Sequence, residues 1–101
     1  MTTLLTGLRP THPGEILRQD VLPAIGRSKA EIARLLHVSR QTLYAILDEK
    51  QAITTPVALK LAKLTNTSPE MWLNLQQVYD LRTTAEAMAA ELEQIPTLEV
   101  V

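Results

Sequence analysis

Residues 28–50 read SKAEIARLLHVSRQTLYAILDEK, a pattern of two short helices joined by a tight turn. Ser28 is placed to cap the first helix, and Glu31, three positions on, completes an S-x-x-E capping box. Ile32, Leu35 and Leu36 fall at the spacing of a buried helix face, with Ala33 small enough for close helix contact. His37-Val38 makes the turn. Ser39 then caps a second helix, in which Thr42, Leu43, Ile46 and Leu47 repeat at helical spacing. Its first turn carries Arg40, Gln41, Thr42 and Tyr44, polar groups where a recognition helix meets base edges. The pattern predicts a helix-turn-helix.

The rest of the composition agrees with a small helical domain. A length of 101 residues suits one domain, and 46% hydrophobic residues suffice for a core. With no Phe, one Trp and two Tyr, that core must be built mainly from aliphatic side chains. No alternating β-branched runs bounded by hairpin turns occur, so the fold class is all-α. The absence of cysteine excludes a disulfide framework and a thiolate metal site. No signal-like N-terminus and no apolar run of about 18 residues is present, so a cytoplasmic protein without a membrane span is expected. The net charge of −1 conceals a division. Residues 1–69 hold nine Lys/Arg against five Asp/Glu; residues 70–101 hold one against six. A basic front and an acidic back suit nucleic acid on one face and a basic protein on another, though solvated helix faces give the same count.

Outward from the central stretch, residues 1–11 read as an N-terminal arm. His12-Pro13-Gly14-Glu15 opens helix 1, with Pro13 at the first helical position and Glu15 favoured by the helix dipole. Ile16, Leu17, Val21 and Leu22 form its apolar stripe, and Pro23 is expected to stop it. Lys50–Thr55 is a loop. Helix 4 follows, capped by Thr55 with Pro56 as its first residue; Val57, Leu61 and Leu64, or Ala58, Leu61 and Ala62, face inward. Asn66 closes it in the left-handed conformation. Ser68-Pro69-Glu70 opens helix 5, running through Trp72, Leu75, Val78 and Tyr79 to about Arg82. Residues 83–101 form an acidic C-terminal tail with helical period (Ala85, Met88, Ala89, Leu92, Ile95), ended by Pro96. That tail suits a sixth helix on the body, a dimer contact or a partner-ordered segment alike.

HPGEIL at 12–17, the helix-turn-helix at 28–47, ALKLAKL at 58–64 and TSPEMWLNLQ at 67–76 together resemble the HigA-type antitoxins, within the Cro/cI-like helix-turn-helix group. The resemblance covers residues 9–82. It implies a compact five-helix DNA-binding domain over 12–82, to which the tail adds a further C-terminal helix. It also implies a homodimer that binds an inverted-repeat operator and represses its own operon. Finally, it implies a RelE-like, HigB-type toxin ribonuclease as the partner to be inhibited. No residue is attached to toxin binding; the acidic tail and the arm are both candidates. The resemblance makes helix 5 the dimer surface, through Met71, Trp72, Leu75 and Tyr79, while Trp72 is also the natural centre of the core.

Chemistry assigns the DNA contacts. Arg40 can grip guanine with two hydrogen bonds, Gln41 can pair with adenine, a Thr42 methyl can touch thymine, and Tyr44 lies beside them. Lys29, Ser39, Lys50 and Thr54 are the candidate phosphate contacts, Lys29 standing where a cationic tip and free helix N–H groups converge. Relatives commonly have Gln at position 29. Three further features also depart from the family pattern. His37 stands where relatives generally have Gly, Asp48-Glu49 replaces a usual Asn-Gly pair, and Ala45 replaces a polar residue. Two acids near the phosphates are expected to weaken binding. Catalysis would have to use His12 or His37, but neither is accompanied by a nucleophile or metal-ligand spacing, so no enzyme, metal or cofactor is expected. The principal alternative is a repressor without a toxin; a protein-interaction module that has lost DNA binding is a further one.

Overall fold

The computed structural model describes residues 10–99. Positions 1–9 of the expected arm therefore lie outside the described residues. Within them the chain is all-α, without strands. Helix α1 covers 13–25 as an α-helical segment Pro13–Ile16, a π-helical turn Leu17–Val21 and an α-helical segment Leu22–Ile25. It is followed by α2 (Lys29–Leu36), α3 (Arg40–Leu47), α4 (Thr55–Thr65), α5 (Pro69–Ala87) and α6 (Ala89–Glu93).

Serine caps start three of these helices as the sequence predicts. Ser28 Oγ accepts the Glu31 N–H at 3.1 Å, Ser39 Oγ that of Thr42 at 3.0 Å, and Ser68 Oγ that of Met71 at 3.0 Å. Such caps contribute about 1 kcal/mol each by satisfying orphan donors. Helix α4 starts one residue earlier than expected, with Thr54 in the cap position and Thr55 as its first residue.

Pro23 does not stop α1. The Leu22 N–H reaches back five residues to the Leu17 carbonyl, so the turn before the proline is widened. A π-helical turn moves the carbonyl that the pyrrolidine ring would otherwise strike, and the helix continues to Ile25. Gly26 ends it at φ 74°.

Three helices end in the same way. Val38 N–H bonds to Ala33 O, Lys50 N–H to Ala45 O and Thr67 N–H to Ala62 O. This is the Schellman arrangement, which needs a left-handed residue one position earlier. His37 (φ 57°), Glu49 (φ 63°) and Asn66 (φ 56°) occupy those positions. Only Asn is a comfortable substitute for Gly there. His37→Gly is expected to stabilise the fold by about 1 kcal/mol, because the left-handed cost of a side chain is removed. The His37 carbonyl keeps its Lys60 Nζ donor at 3.0 Å in that variant. A thermal melt checks this: a rise in Tm of about 4 °C is expected for a domain of this size, and no rise would refute the strain.

The core is aliphatic around one indole. Leu17, Ile32, Ala33, Leu36, Leu43, Ile46, Leu47, Ile53, Val57, Ala58 and Leu61 close over Trp72, which is only 1% exposed. The Trp72 Nε1–H is satisfied by Thr67 Oγ1 at 2.9 Å. Both expected stripes of α4 contribute: Val57, Ala58, Leu61 and Ala62 are buried, and Leu64 is half-buried. Two residues placed inside by periodicity lie outside. Leu35 is exposed because α2 turns Ile32, Ala33 and Leu36 inward, and Val78 is exposed because α5 buries Trp72 and Gln76 instead. Helix α5 runs past Arg82 to Ala87, and α6 buries nothing.

Candidate nucleic-acid interface

The position of α3 is set from three directions. His12 caps α1, its Nδ1 accepting the Gly14 N–H at 2.9 Å, and Gly14 itself lies against the backbone of α3. A Cβ at position 14 would sit 1.9 Å from the Ile46 carbonyl oxygen. From further along α1, Arg18 donates Nη1–H to the Leu47 carbonyl, and Nη2 pairs with Glu49 Oε2 at 3.3 Å. A guanidinium at the C-terminal end of α3 meets free carbonyls and the negative end of the dipole. It also holds Glu49 in its left-handed turn. From α5, buried Gln76 accepts the Ile53 N–H through Oε1 at 2.8 Å while donating Nε2–H to Asp80 at 3.0 Å. The 48–54 loop is thereby pinned at both ends.

What these supports present is a polar row on the outside of α3. Leu43, Ile46 and Leu47 face the core; Arg40, Gln41, Tyr44 and Asp48 are exposed, with Thr42 and Ala45 half-buried. The Thr42 hydroxyl oxygen accepts from Ser39 Oγ at 2.9 Å. Its methyl is then the part best suited to a base. Lys29, at the start of α2, carries its Nζ 5.8 Å from the Tyr44 ring centroid, a cation–π distance. That contact joins the candidate phosphate lysine to the candidate base-contacting row. Lys50 and Thr54 are exposed on the loop leaving α3, and Thr54 Oγ1 makes no cap bond.

The acids that interrupt the family pattern have unlike surroundings. Glu49 is half-buried against Arg18, whereas Asp48 is exposed and in no ion pair among the described residues. Only Asp48 is therefore a free negative charge at the end of the row. Sequence reasoning missed Arg18, Gly14 and Gln76 as builders of the site. The HPGE run was legible as a helix start, but not as the surface on which α3 rests.

The two histidines offer no catalytic arrangement. His12 is 2% exposed and hydrogen-bonded; burial holds its pKa below the usual 6.5, outweighing the opposing pull of Glu49 and Asp80. His37 is exposed in its turn. Among the described residues no cluster of His, Cys, Asp or Glu is arranged to hold a metal ion, and no helix is long and apolar enough to cross a membrane.

On the helix α5 face, Met71 is exposed, and Leu75 and Tyr79 are half-buried. The Tyr79 ring stands edge-on to His12 at 4.9 Å. Trp72 belongs to the core, and its indole is not available to a second copy.

Two short helices, a left-handed turn and an exposed polar row at the front of the second define a helix-turn-helix protein of the DNA-binding, transcription-regulating class. The family model described as Helix-turn-helix matches residues 17–72. The uncharacterized HTH-type transcriptional regulator YbaQ of Escherichia coli strain K12 is 36% identical over 93 residues, 92% of this chain and 81% of that protein. Antitoxin HigA-1 of Vibrio cholerae is 33% identical over 95 residues, 94% of this chain and 90% of that protein. The solved structure of Pseudomonas aeruginosa antitoxin HigA with the higBA promoter superposes with a TM-score of 0.84 at 38% identity, covering 90% of this chain and 100% of that one. This chain belongs to the HigA-type antitoxins of the helix-turn-helix family.

Proposed function

We propose that this protein is the cytoplasmic antitoxin of a toxin–antitoxin module. It binds an inverted-repeat operator as a dimer, represses its own operon, and neutralises a RelE-like mRNA-cleaving toxin by direct contact. The observation that carries the DNA half is the exposed row of Arg40, Gln41 and Tyr44 on α3, flanked by Lys29. Arg40 and Gln41 read base edges, with the Thr42 methyl and Tyr44 beside them; Lys29, Ser39, Lys50 and Thr54 hold phosphates. The similar HigA of Pseudomonas aeruginosa was solved with its promoter, which supports the same role here.

One recognition helix spans too few base pairs for a unique site, so two copies must present α3 to successive major grooves. The dimer surface is the outer side of α5, from Met71 and Leu75 to the exposed Val78 and Leu81, with Tyr79 at its border and Trp72 supporting it from beneath. Residues 83–99 then serve the toxin. Leu92, Ile95 and Leu98 are exposed beside Glu91, Glu93 and Glu99, an apolar and acidic surface suited to a basic ribonuclease.

Asp48 tempers the DNA contact. Asp48→Asn is expected to tighten operator binding by about threefold to tenfold at low salt, with the gain shrinking as salt screens the phosphates. A fluorescence-anisotropy titration at two salt concentrations checks it; weaker binding by the variant would contradict the placement of this residue. The whole reading is tested by expressing the product of the neighbouring gene alone and together with this chain. Growth arrest relieved by co-expression, with the two products co-purifying, is expected. A neighbour that is harmless and does not bind, while the upstream palindrome is still occupied, would leave a repressor without a toxin.

A further inference from the structure

One buried side chain of α5 reaches the loop that follows the recognition helix. Gln76 is 5% exposed, and its Oε1 accepts the Ile53 N–H at 2.8 Å, 23 positions back along the chain. Its Nε2 donates to Asp80 Oδ1, one helical turn on, at 3.0 Å. The two partners leave the amide no choice of orientation. A backbone N–H only donates and a carboxylate only accepts, so the oxygen end must face Ile53 and the nitrogen end Asp80. Ile53 is itself buried in the core, and on either side of it the loop exposes Lys50 and Thr54. The other end of the loop is closed by the Lys50 N–H, which bonds to the Ala45 carbonyl in the turn after α3. Asp80, unlike Gln76, is exposed.

We propose that Gln76, oriented by Asp80, is a positioning residue for operator binding: it fixes the peptide at Ile53, and with it the loop that carries Lys50 and Thr54 to phosphate. The inference rests on the reading of α3 and its following loop as the DNA face. A phosphate contact adds most to affinity when the backbone beneath it is already in place, because ordering a loop on binding is subtracted from the gain. Without an acceptor at position 76, the Ile53 N–H becomes a buried donor with no partner, and the loop gains by carrying it out to water. Such a movement displaces Thr54, the next residue and the cap position of α4. Asp80 acts through the amide alone. As a charge it repels DNA; as the acceptor that holds Gln76 it supports binding, and the two effects have opposite signs.

The test compares variants of the full chain on a duplex of the upstream palindrome, by fluorescence anisotropy over a salt series. Gln76→Met keeps the length of the side chain and the net charge but removes the acceptor. It is expected to bind about tenfold more weakly and with a shallower salt dependence, as loss of phosphate contact gives. The double variant Gln76→Glu/Asp80→Asn reverses the second bond: a glutamate oxygen takes the Ile53 N–H, and the asparagine amide donates to the other oxygen. Its net charge is also that of the native chain. Its affinity is expected to return to within about threefold of native, the mark of two coupled positions. Native affinity and salt slope in Gln76→Met, or a double variant no better than Gln76→Met, would overturn the proposal. Asp80→Ala covers the case in which methionine at the buried site prevents folding, because Asp80 is exposed. Loss of a negative charge alone would tighten binding, whereas loss of the amide's anchor is expected to weaken it by about threefold. Equal or tighter binding contradicts the role given to Asp80.

A second readout needs no DNA. Amide exchange at Ile53 is expected to quicken by about tenfold in Gln76→Met and to recover in the double variant, while Leu43 and Leu61 in the core stay protected. Protection lost throughout the core would make Gln76 a residue of general stability, against the proposal. Unchanged protection of Ile53 would show that Gln76 does not hold the loop. A native chain that binds no duplex overturns the operator reading and this role with it; a native chain that binds, beside a Gln76→Met chain that binds equally well, overturns this role alone.

Discussion

Gly14→Ala is expected to be strongly destabilising. The new Cβ would lie 1.9 Å from the Ile46 carbonyl oxygen, 2.9 Å from its carbon and 3.0 Å from His12 Nδ1. Two of these atoms are backbone of the recognition helix and cannot rotate aside. Relief requires α1 to withdraw from α3, which would pull Arg18 away from Leu47 and Glu49 and loosen the His12 cap. Overpacking of this kind costs about 3 kcal/mol or more when backbone must move. For a domain of this size that lowers Tm by about 15 °C. Gly26→Ala supplies the control. Gly26 has φ 74° and open space around its Cβ position, so only local strain of about 1 kcal/mol is incurred. Thermal melts of the two variants should rank Gly14→Ala far below Gly26→Ala; equal or reversed losses would mean that α1 and α3 do not touch as described.

Arg40→Ala carries the largest expected effect on binding. Arg40 is exposed at the first position of α3 and serves no core contact, so stability should change by no more than about 0.5 kcal/mol. A bidentate arginine–guanine pair is worth about 1–3 kcal/mol, and a dimer contains two. Loss of about 4 kcal/mol, roughly a thousandfold in affinity, is expected, together with relaxed preference at one base position in each half-site. Lys50→Ala should differ in kind: a smaller, sequence-independent loss and a shallower salt dependence. Titrations of both variants against the operator and against single-base-pair replacements separate the two. An Arg40→Ala protein that binds as tightly and as selectively as the native chain would remove Arg40 from the base-contacting row.

The helix starts were legible because their signals are local. Ser28, Ser39 and Ser68 cap through bonds spanning three residues, and Asn66 takes its left-handed turn as the pattern requires. What was not legible depends on residues far apart in the chain. The rule that a glycine marks a positive φ finds Gly26 but is silent on Gly14, whose importance comes from Ile46, 32 positions away. Arg18 carries no local signal of its role, since its partners lie 29 and 31 positions on. Pro23 was read as a terminator because periodicity carries no sign of a π-helical turn. Glu49 was counted as a charge facing DNA, whereas the Schellman turn gives it a left-handed backbone and aims it at Arg18. The exposure of the α3 row followed from spacing, since a helix that buries Leu43, Ile46 and Leu47 must expose Arg40, Gln41 and Tyr44.

Hydroxyl-radical footprinting of the region upstream of the gene, repeated over a salt series, tests the central claim most directly. Two protected half-sites centred about 10 base pairs apart, or a multiple of that, are expected from two copies of α3 in successive major grooves. The affinity should fall linearly with salt on a logarithmic scale. Protection that is absent, or that is uniform along the fragment, would contradict the assignment of α3 as a recognition helix.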